Sequence, residues 1–451
     1  TGLTNNCCFA DNAAYMDATF SWNFDLDNTD PDGNCERASG FVAAHVFEQP
    51  GTYRVRLDVY DAAGDTSSRE ITIEVSEFSG TTYYVANGGT DGPGHGSSPA
   101  DPFATPEYAL SSSILGPNVR VLFRNGDTFT ISEQVTVNDA TGPIIIGSYD
   151  DGSSDSPIIH TTAVNSDWAT IHFWNCSDIR IMNIEITATA ESSENPRYPY
   201  GIGWGNDCSH MLKYRTCEHH NGGISLSPCG QYCTIAECEF HHTTQTGFTS
   251  SDYGPNDGAA IIGNRVYDKN TVDEENEEHI FRLQSGSRYF IAHNTFGPNI
   301  TVNYDALTIR GNTQKVVIYK NTMYGHVQSF RPQNKNSAAE YVHHCIMDSN
   351  LIMGVPDAQQ VAVEVVAKDL VFRNNILYDY QCGIGIGDDT VVGPSQRIKI
   401  YNNTFINPTA DSAFNPVYAD EACRNIDIKN NVMLDLAGSD PEYTSFLNVR
   451  G

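Results

Sequence analysis

From residue 291 onward the chain repeats one short pattern, apolar-x-x-Asn-x-apolar. It fits Ile291…Asn294…Phe296, Ile318…Asn321…Met323 and Met347…Asn350…Ile352, then Phe372…Asn375…Leu377, Ile400…Asn403…Phe405 and Ile428…Asn431…Met433. Successive asparagines lie 27, 29, 25, 28 and 28 residues apart. Upstream, the same template takes Ile184, Cys217, Cys238 and Arg265 in the asparagine slot, so ten repeats register. A period near 27, built from β-branched segments without helical periodicity, predicts a solenoid in which each repeat is one turn. Asn suits the slot because it tolerates a left-handed turn and because stacked carboxamides hydrogen-bond from turn to turn. The Leu spacing of a leucine-rich repeat is missing, and four strands per repeat, as a propeller needs, are not found. The expected fold is all-β, with a right-handed parallel β-helix of about ten or more rungs over residues 83–451. The handedness follows from the rule for parallel crossovers.

The first 77 residues have another rhythm. Tyr53–Val59 and Ile71–Val75 alternate apolar and polar positions, with turn signals at Pro50-Gly51 and Gly64-Asp65. That predicts a small β-sandwich over 1–77. Trp22-Asn23-Phe24-Asp25-Leu26-Asp27, His45-Val46-Phe47, Pro50-Gly51-Thr52-Tyr53 and Val59-Tyr60-Asp61-Ala62-Ala63-Gly64 together resemble a PKD domain. Residues 78–82 read as a short linker. Tyr83-Tyr84-Val85…Gly89-Thr90-Asp91, followed by Asp101-Pro102-Phe103-Ala104-Thr105, resembles the opening of many secreted parallel β-helix proteins. A helix is expected over 106–115, with Pro106 at its first position, inside a cap spanning 83–115. The short first strand of the PKD segment suggests a slice of a longer modular protein.

Charge narrows the partners. Twenty-six basic and 56 acidic residues give a net charge of −30, which repels nucleic acid and anionic membrane. No apolar run is long enough to insert in a membrane, and no basic stretch with an apolar run opens the sequence, so any secretory leader is expected to be removed already or to lie outside the sequence. With its Gly, Asn, Ser and Thr content, the acidity points to an extracellular or cell-surface protein. Of twelve cysteines, Cys208/Cys229 and Cys217/Cys238 are each 21 apart, about one rung in this stretch. They would stack either as bridges or as a reduced ladder. Cys7 or Cys8 could bridge to Cys35, and Cys176, Cys345, Cys382 and Cys423 read as buried singles. Cys229-x₃-Cys233 lacks a second half, which argues against zinc there. The final strand, 446–450, has nothing after it in this sequence, so either more chain follows or self-association through an uncapped β-helix end is expected.

One segment breaks the acidic trend. Between His279 and Ala339 lie seven basic residues, Arg282, Arg288, Arg310, Lys315, Lys320, Arg331 and Lys335, and one acid, Asp305. This island carries +6 while the rest of the chain carries −36. Three candidate strands end in Arg282, Arg310 and Arg331, which a solenoid would align in one groove at ~5 Å per rung. Stacked arginines repel, so the arrangement suits an anionic ligand. His279, Lys320, Tyr324 and His326 add groups able to move protons, and Arg288 and Lys335 add charge. Just upstream, Asp273-Glu274-Glu275-Asn276-Glu277-Glu278 could hold Ca²⁺ or be a solvated loop. The same alternatives apply to Asp25, Asp27, Asp30 and Asp32, which crowd four carboxylates into eight residues. His219-His220 and His241-His242, on adjacent repeats, could form a second polar patch or lie in surface turns.

Glu275-x-Glu277-x₄-Arg282, Ile291-x-x-Asn294-Thr295-Phe296 and Leu307-Thr308-Ile309-Arg310-Gly311-Asn312 resemble the core of polysaccharide lyase family six, which holds alginate lyases and chondroitinase B. The resemblance spans about 40 of 451 residues. It implies Glu275 and Glu277 as calcium ligands, Arg282 at the position of the base and Arg310 at that of the acid. The chain departs from the pattern with Arg282 in place of Lys and Gly311 in place of His. Independently of any family, β-elimination from a uronate needs a neutralised carboxylate, a base near the C5 hydrogen and an acid at the leaving oxygen. A hydrolase needs two nearby carboxylates, which the island does not supply. Three readings follow. One is a secreted lyase on an anionic, uronate-containing polysaccharide, with the PKD segment as an accessory module. The second is a non-catalytic adhesive or structural protein, a fibre or filament subunit. The third is a glycan-binding module that has lost catalysis.

Overall fold

The computed structural model describes residues 13–30, 36–162, 169–188, 200–205, 207–219, 230–242, 257–268, 280–298, 306–325, 328–331, 341–354, 361–380, 382–389, 392–407, 415–436 and 447–450. The protein is all-β, a PKD-like domain followed by a β-solenoid of about 8 turns with a period of ~28. The period agrees with the sequence repeat, and the all-β solenoid fits the expected architecture. Two compact units divide the chain. The first holds Thr1–Glu77, Leu283–Phe296 and Val302–Gly451, and the second holds Phe78–Arg282 and Gly297–Thr301. Among the described residues no helix is long and apolar enough to cross a membrane.

In the second unit, parallel strands stack into three ladders. One runs from Thr81–Val85 through Val119–Arg124, Thr141–Tyr149 and Ser177–Met182 to Leu212–Tyr214, Thr234–Ala236 and Ala260–Ile262. A second runs from Thr128–Ile131 through Ile158–Thr161, Glu185–Ala188, Cys217–His219 and Glu239–His241 to Arg265–Tyr267. Val135–Asn138, Ala169–Trp174 and Tyr200–Trp204 form the third. Ile144, Ile146, Ile179, Ile181, Ile186 and Phe240 fill the interior between them. The expected helix exists but is short, Pro106–Ala109. Thr105 caps it by accepting from the Tyr108 amide, and Pro106 occupies the first turn, where no amide is needed.

In the first unit the asparagine ladder forms as its spacing requires. Asn294, Asn321, Asn350, Asn375, Asn403 and Asn431 stack, each Nδ2 donating to the next Oδ1 at 2.9–3.0 Å. Each backbone amide donates to the same oxygen at 2.8–3.0 Å. One part of the sequence argument needs correcting. The left-handed residue is the one before the slot: His293, Lys320, Ser349, Asn374, Asn402 and Asn430 have φ of 52–61°. That corner turns the chain, and the asparagine satisfies backbone groups that the corner strands.

Two upstream slots also shift. Glu185, Cys217, Glu239 and Arg265 are register partners, so the preceding residues, Ile184, Thr216, Cys238 and Asn264, fill the slot. Asn264 accepts from the Cys238 amide at 2.9 Å and donates to the Ile235 carbonyl, the same pattern as the ladder asparagines. Cys217 and Arg265 are therefore one residue out of place, and Cys217 does not stack on Cys238. A shift of one residue moves a side chain to the opposite face of the sheet. Likewise Ser177, Ser209 and Gln231 align, which sets Cys208 against Cys176 rather than Cys229. The Cys176 amide lies 3.4 Å from Cys208 Sγ. All eight described cysteines are free thiols. Cys7, Cys8, Cys35 and Cys229 lie outside the described residues.

The N-terminal segment forms one four-stranded antiparallel sheet among the described residues, ordered Arg37–Ser39, Thr19–Asn23, Gly51–Tyr60, Thr66–Val75. Within the first unit this domain is packed directly on the solenoid. Tyr15, Met16, Ala18 and Phe20 share a core with Ile346 and Val371, with Phe41, Leu57, Val59 and Tyr401 against it. At the margin Arg373 Nε meets Asp348 Oδ2 at 2.7 Å, and its other nitrogens donate to the Ala18 carbonyl and Ser39 Oγ. Lys399 pairs with Asp17, and Tyr15 donates to the Asp369 carbonyl. Gly40, at φ 106°, faces Val317 so closely that a Cβ would lie 2.6 Å from its methyls. The PKD segment thus covers the outward face of successive solenoid strands.

Candidate functional site

The basic residues of the first unit do not share one face. The strand Leu307–Tyr319 runs round a bend and carries them to different corners. Arg310 is directly opposite Arg331 on the parallel strand Gln328–Arg331. Leu307 and Ile309 point inward and are buried, so parity places Arg310 on the outer side, where it is half-buried. The register thus brings together two of the three predicted strand-end arginines. Arg282 opens the strand Arg282–Ala292 and is half-buried.

Arg288 and Lys315 sit elsewhere, both in left-handed corners with φ of 60° and 57°. The Lys315 corner continues through His344, Asp369 and Arg397, the column on which Tyr15 docks. Arg397 there binds Asp369 through two nitrogens at 2.5 and 2.7 Å. Lys320 occupies the corner before Asn321, its ammonium 5.2 Å from the Tyr319 ring. Burial, then the Lys320 charge, lowers the pKa of its neighbour His293. Tyr324 lies in the strand Thr322–Tyr324, opposite Met353. The single groove expected from the strand ends is therefore reduced to the Arg310–Arg331 register pair within this unit. His279, His326, Lys335, Glu275 and Glu277 lie outside the described residues, as does the Arg331 side chain.

Of the acidic loop, Asp25, Asp27 and Asp30 are described and Asp32 is not. Asp27 pairs with Arg54 at 2.8 Å. The Asp30 amide donates to Asp25 Oδ2 at 2.8 Å. Burial raises the Asp25 pKa, but the backbone amides of Asp30 and Thr29 outweigh it and leave the carboxyl below its ordinary range. Asp25 Oδ1 is buried and has no hydrogen-bond partner, an acceptor available to a cation. No group of three His, Cys, Asp or Glu side chains converges among the described residues.

The second unit carries a polar face that sequence reading only touched. Glu185, Cys217, Glu239 and Arg265 form one outward column, and Thr187, His241 and Tyr267 form the next, with His219 at the intervening register position. Cys217 Sγ lies 3.6 Å from His241 Nε2, and His241 Nδ1 lies 2.7 Å from His242 Nδ1. The His241 ring stacks on Tyr267, whose hydroxyl donates to Glu239 Oε1 at 2.5 Å. Arg265 covers the Tyr267 ring and reaches Glu239 at 3.6 Å. Burial raises the Glu185 pKa. Burial, with Glu185, Glu239 and Glu218 nearby, pushes the Cys217 thiol up to about 12. The available signal was the repeat itself: once Asn264 and Cys238 share a slot, the pairs Cys217-x-His219 and Glu239-x-His241 align. A separate cleft of about 630 Å³, lined by Glu107, Ser111, Gln134, Thr136 and Asp139 among others, contains none of the predicted residues.

Residues 5–76 match the PKD domain family. No curated protein sequence matches the chain. Among solved structures, the Streptococcus pneumoniae surface protein and adhesin PfbA is 11% identical with a TM-score of 0.53, over 73% of this chain and 91% of that one. The GH136 lacto-N-biosidase from Eubacterium ramulus is 12% identical with a TM-score of 0.45, over 78% of this chain and 68% of that one. The periplasmic alginate epimerase AlgG is 12% identical with a TM-score of 0.42, over 70% and 77% respectively. At such identities the likeness to PfbA shows a common fold.

Proposed function

We propose that this chain is an extracellular or cell-surface protein that engages an anionic, uronate-containing polysaccharide at the sheet face bearing Arg310 and Arg331, and cleaves it by β-elimination. The observation that supports this is the register of the two arginines. The strand register sets Arg310 opposite Arg331 within a segment of net +6, which makes this stretch of an acidic chain attractive to an anion. A uronate carboxylate fits that need, since a guanidinium binds a carboxylate through two parallel hydrogen bonds. Elimination would have one arginine neutralise the carboxylate and a base from solvent take the C5 proton as the C4–O bond breaks, with Arg310 supplying the proton to the leaving oxygen. Calcium belongs to the same proposal: the acidic loop of Asp25, Asp27, Asp30 and Asp32, the acidic segment with Glu275 and Glu277, or both would hold it.

Incubation with alginate, pectate and glycosaminoglycans tests the reading. Unsaturated chain ends absorbing in the ultraviolet are expected. Arg310→Ala should weaken polysaccharide binding about 10- to 100-fold, the value of a charge-assisted hydrogen bond of about 1.5–3 kcal/mol. A panel giving neither product nor binding sinks it.

A second reading, adhesion or assembly without turnover, has its own support. Gly311, at φ 68°, stands where the resembled family has His. Val432 and Leu434, alternate residues of the strand Val432–Asp435, and Leu436 just past it are also 50, 42 and 69% exposed. Product-free binding, or ordered fibres seen by electron microscopy, would select it.

A further inference from the structure

The third ladder of the second unit starts with a strand that is paired on one edge, and the polysaccharide reading makes no use of the other. We propose that the cleft along this second edge takes up an extended peptide as an added β-strand, with basic side chains of the peptide turned to Glu107 and Asp139.

Topology is the first argument. Among the described residues Val135–Asn138 pairs only with Ala169–Trp174, so its other edge ends the sheet. The first ladder goes one turn further, since Thr81–Val85 lies beyond Val119–Arg124. That turn gives the third ladder no strand, because the chain after Thr81–Val85 runs through the cap helix Pro106–Ala109 instead. The Asp139 amide donates to the Trp174 carbonyl at 3.0 Å. Alternate residues of a parallel strand face the same neighbour. Val135, Val137 and Asp139 therefore turn their backbone groups to Ala169–Trp174, and Thr136 and Asn138 turn theirs to the other edge.

Shape is the second. Residues 134–140 line the cleft without a break. Side chains alternate between the two faces of a strand, so a cleft on one face would meet every second residue. Contact with all of them places it along the edge. Its volume is about 630 Å³. Val135–Asn138 has four residues. A strand of that length fills a slot ~13 Å long, ~4.8 Å wide and ~10 Å deep, or about 600 Å³.

The lining is the third, and it selects the occupant. Leu115, Val135, Val137 and Ala140 are its buried apolar side. Glu107 and Asp139 are exposed at its rim, and no Lys or Arg is among the described lining residues. Asn175 Nδ2 donates to Asp139 Oδ1 at 2.6 Å, which holds that carboxylate in place. A peptide alternating apolar and basic residues meets both sides. Its apolar side chains extend the row of Val135 and Val137, and its basic ones approach the two carboxylates. Its backbone pairs with Thr136 and Asn138, as strands added to an open sheet edge do.

The test uses the full chain and a fluorescent six-residue peptide with blocked ends that alternates valine and lysine. Fluorescence anisotropy should show saturable binding below about 1 mM. N-methylating one alternate set of peptide amides should abolish it, and methylating the other set should leave it within about 3-fold, since a strand turns every second amide to a given neighbour. Replacing lysine by glutamate in the peptide should weaken binding about 10-fold. Glu107→Gln should weaken it about 2- to 5-fold, as for an exposed ion pair. Hydrogen exchange at the Thr136 and Asn138 amides should slow only when peptide is added. No binding at about 1 mM, equal binding of both methylated peptides, or equal affinity for the lysine and glutamate peptides overturns the proposal. So does protection of those two amides in the free protein, where a segment of this chain, or a second copy if protection rises with protein concentration, would fill the cleft.

Discussion

Asn350→Ala should be among the most damaging single truncations in the solenoid. Asn350 is 2% exposed and sits mid-ladder. Its Nδ2 donates to the carbonyls of Ile318 and Asp348 at 3.0 and 3.1 Å and to Asn375 Oδ1 at 2.9 Å. Its Oδ1 accepts from the Asn321 amide and carboxamide at 2.9 and 3.0 Å. Truncation removes all five bonds at once. The Asn321 amide, buried at a corner, and the Ile318 carbonyl then lose their partner in a place water reaches poorly. At about 1–3 kcal/mol for each orphaned group, the loss is about 2–6 kcal/mol. Asn431 is the internal control. It is half-buried, and its carboxamide donates to the Ile400 carbonyl. Water can replace part of what Asn431→Ala removes, so about 1 kcal/mol is expected there. Urea unfolding followed by far-ultraviolet circular dichroism, with hydrogen exchange at Asn321 and Asn403, measures both. Losses within about 0.5 kcal/mol of each other would refute the claim that the ladder acts by satisfying buried backbone groups.

Arg373→Met should destabilise the first unit by about 3–5 kcal/mol because it leaves Asp348 buried without its cation, and adding Asp348→Leu should restore most of the loss; thermal melts decide. Acidification should weaken the same unit. Burial, then the neighbouring His344, lowers the His343 pKa to about 4, against an ordinary 6.5. The unfolded chain therefore takes up the proton first. This contribution is complete above about pH 6.5, is lost as pH falls toward about 4, and should flatten in His343→Gln. Thermal melts with EDTA and with Ca²⁺ test the acidic loops: a higher melting temperature in Ca²⁺ is expected, and identical values remove calcium from the account.

The sequence by itself determined the repeat, the ladder and the parity of each strand. Apolar residues at fixed offsets from Asn294, Asn321, Asn350, Asn375, Asn403 and Asn431 encode one turn each, because side-chain direction alternates along a strand and the corner recurs. It could not locate the slot where repeat length varied. Between Ile184 and Asn264 the repeats are uneven, and Cys217 and Arg265 matched the template one residue late. Only strand pairing resolves such a slip, since a one-residue error still yields a plausible local pattern. The basic island shows the same division. Its charge was legible, but a bend separates Arg310 from Lys315 within one continuous strand and Lys320 turns the corner just past its end, and only the folded chain shows which of them share a face. The docking of the N-terminal domain left a trace that is readable in hindsight. Val316-Val317-Ile318, Cys345-Ile346-Met347 and Leu370-Val371-Phe372 are apolar at both parities, whereas Ile398-Lys399-Ile400 and Ile426-Asp427-Ile428 alternate. Apolar residues on both faces of a strand require cover on both. Which segment supplies that cover is a contact across some 300 residues, such as Ser39 with Asp348, and local pattern carries no information about it.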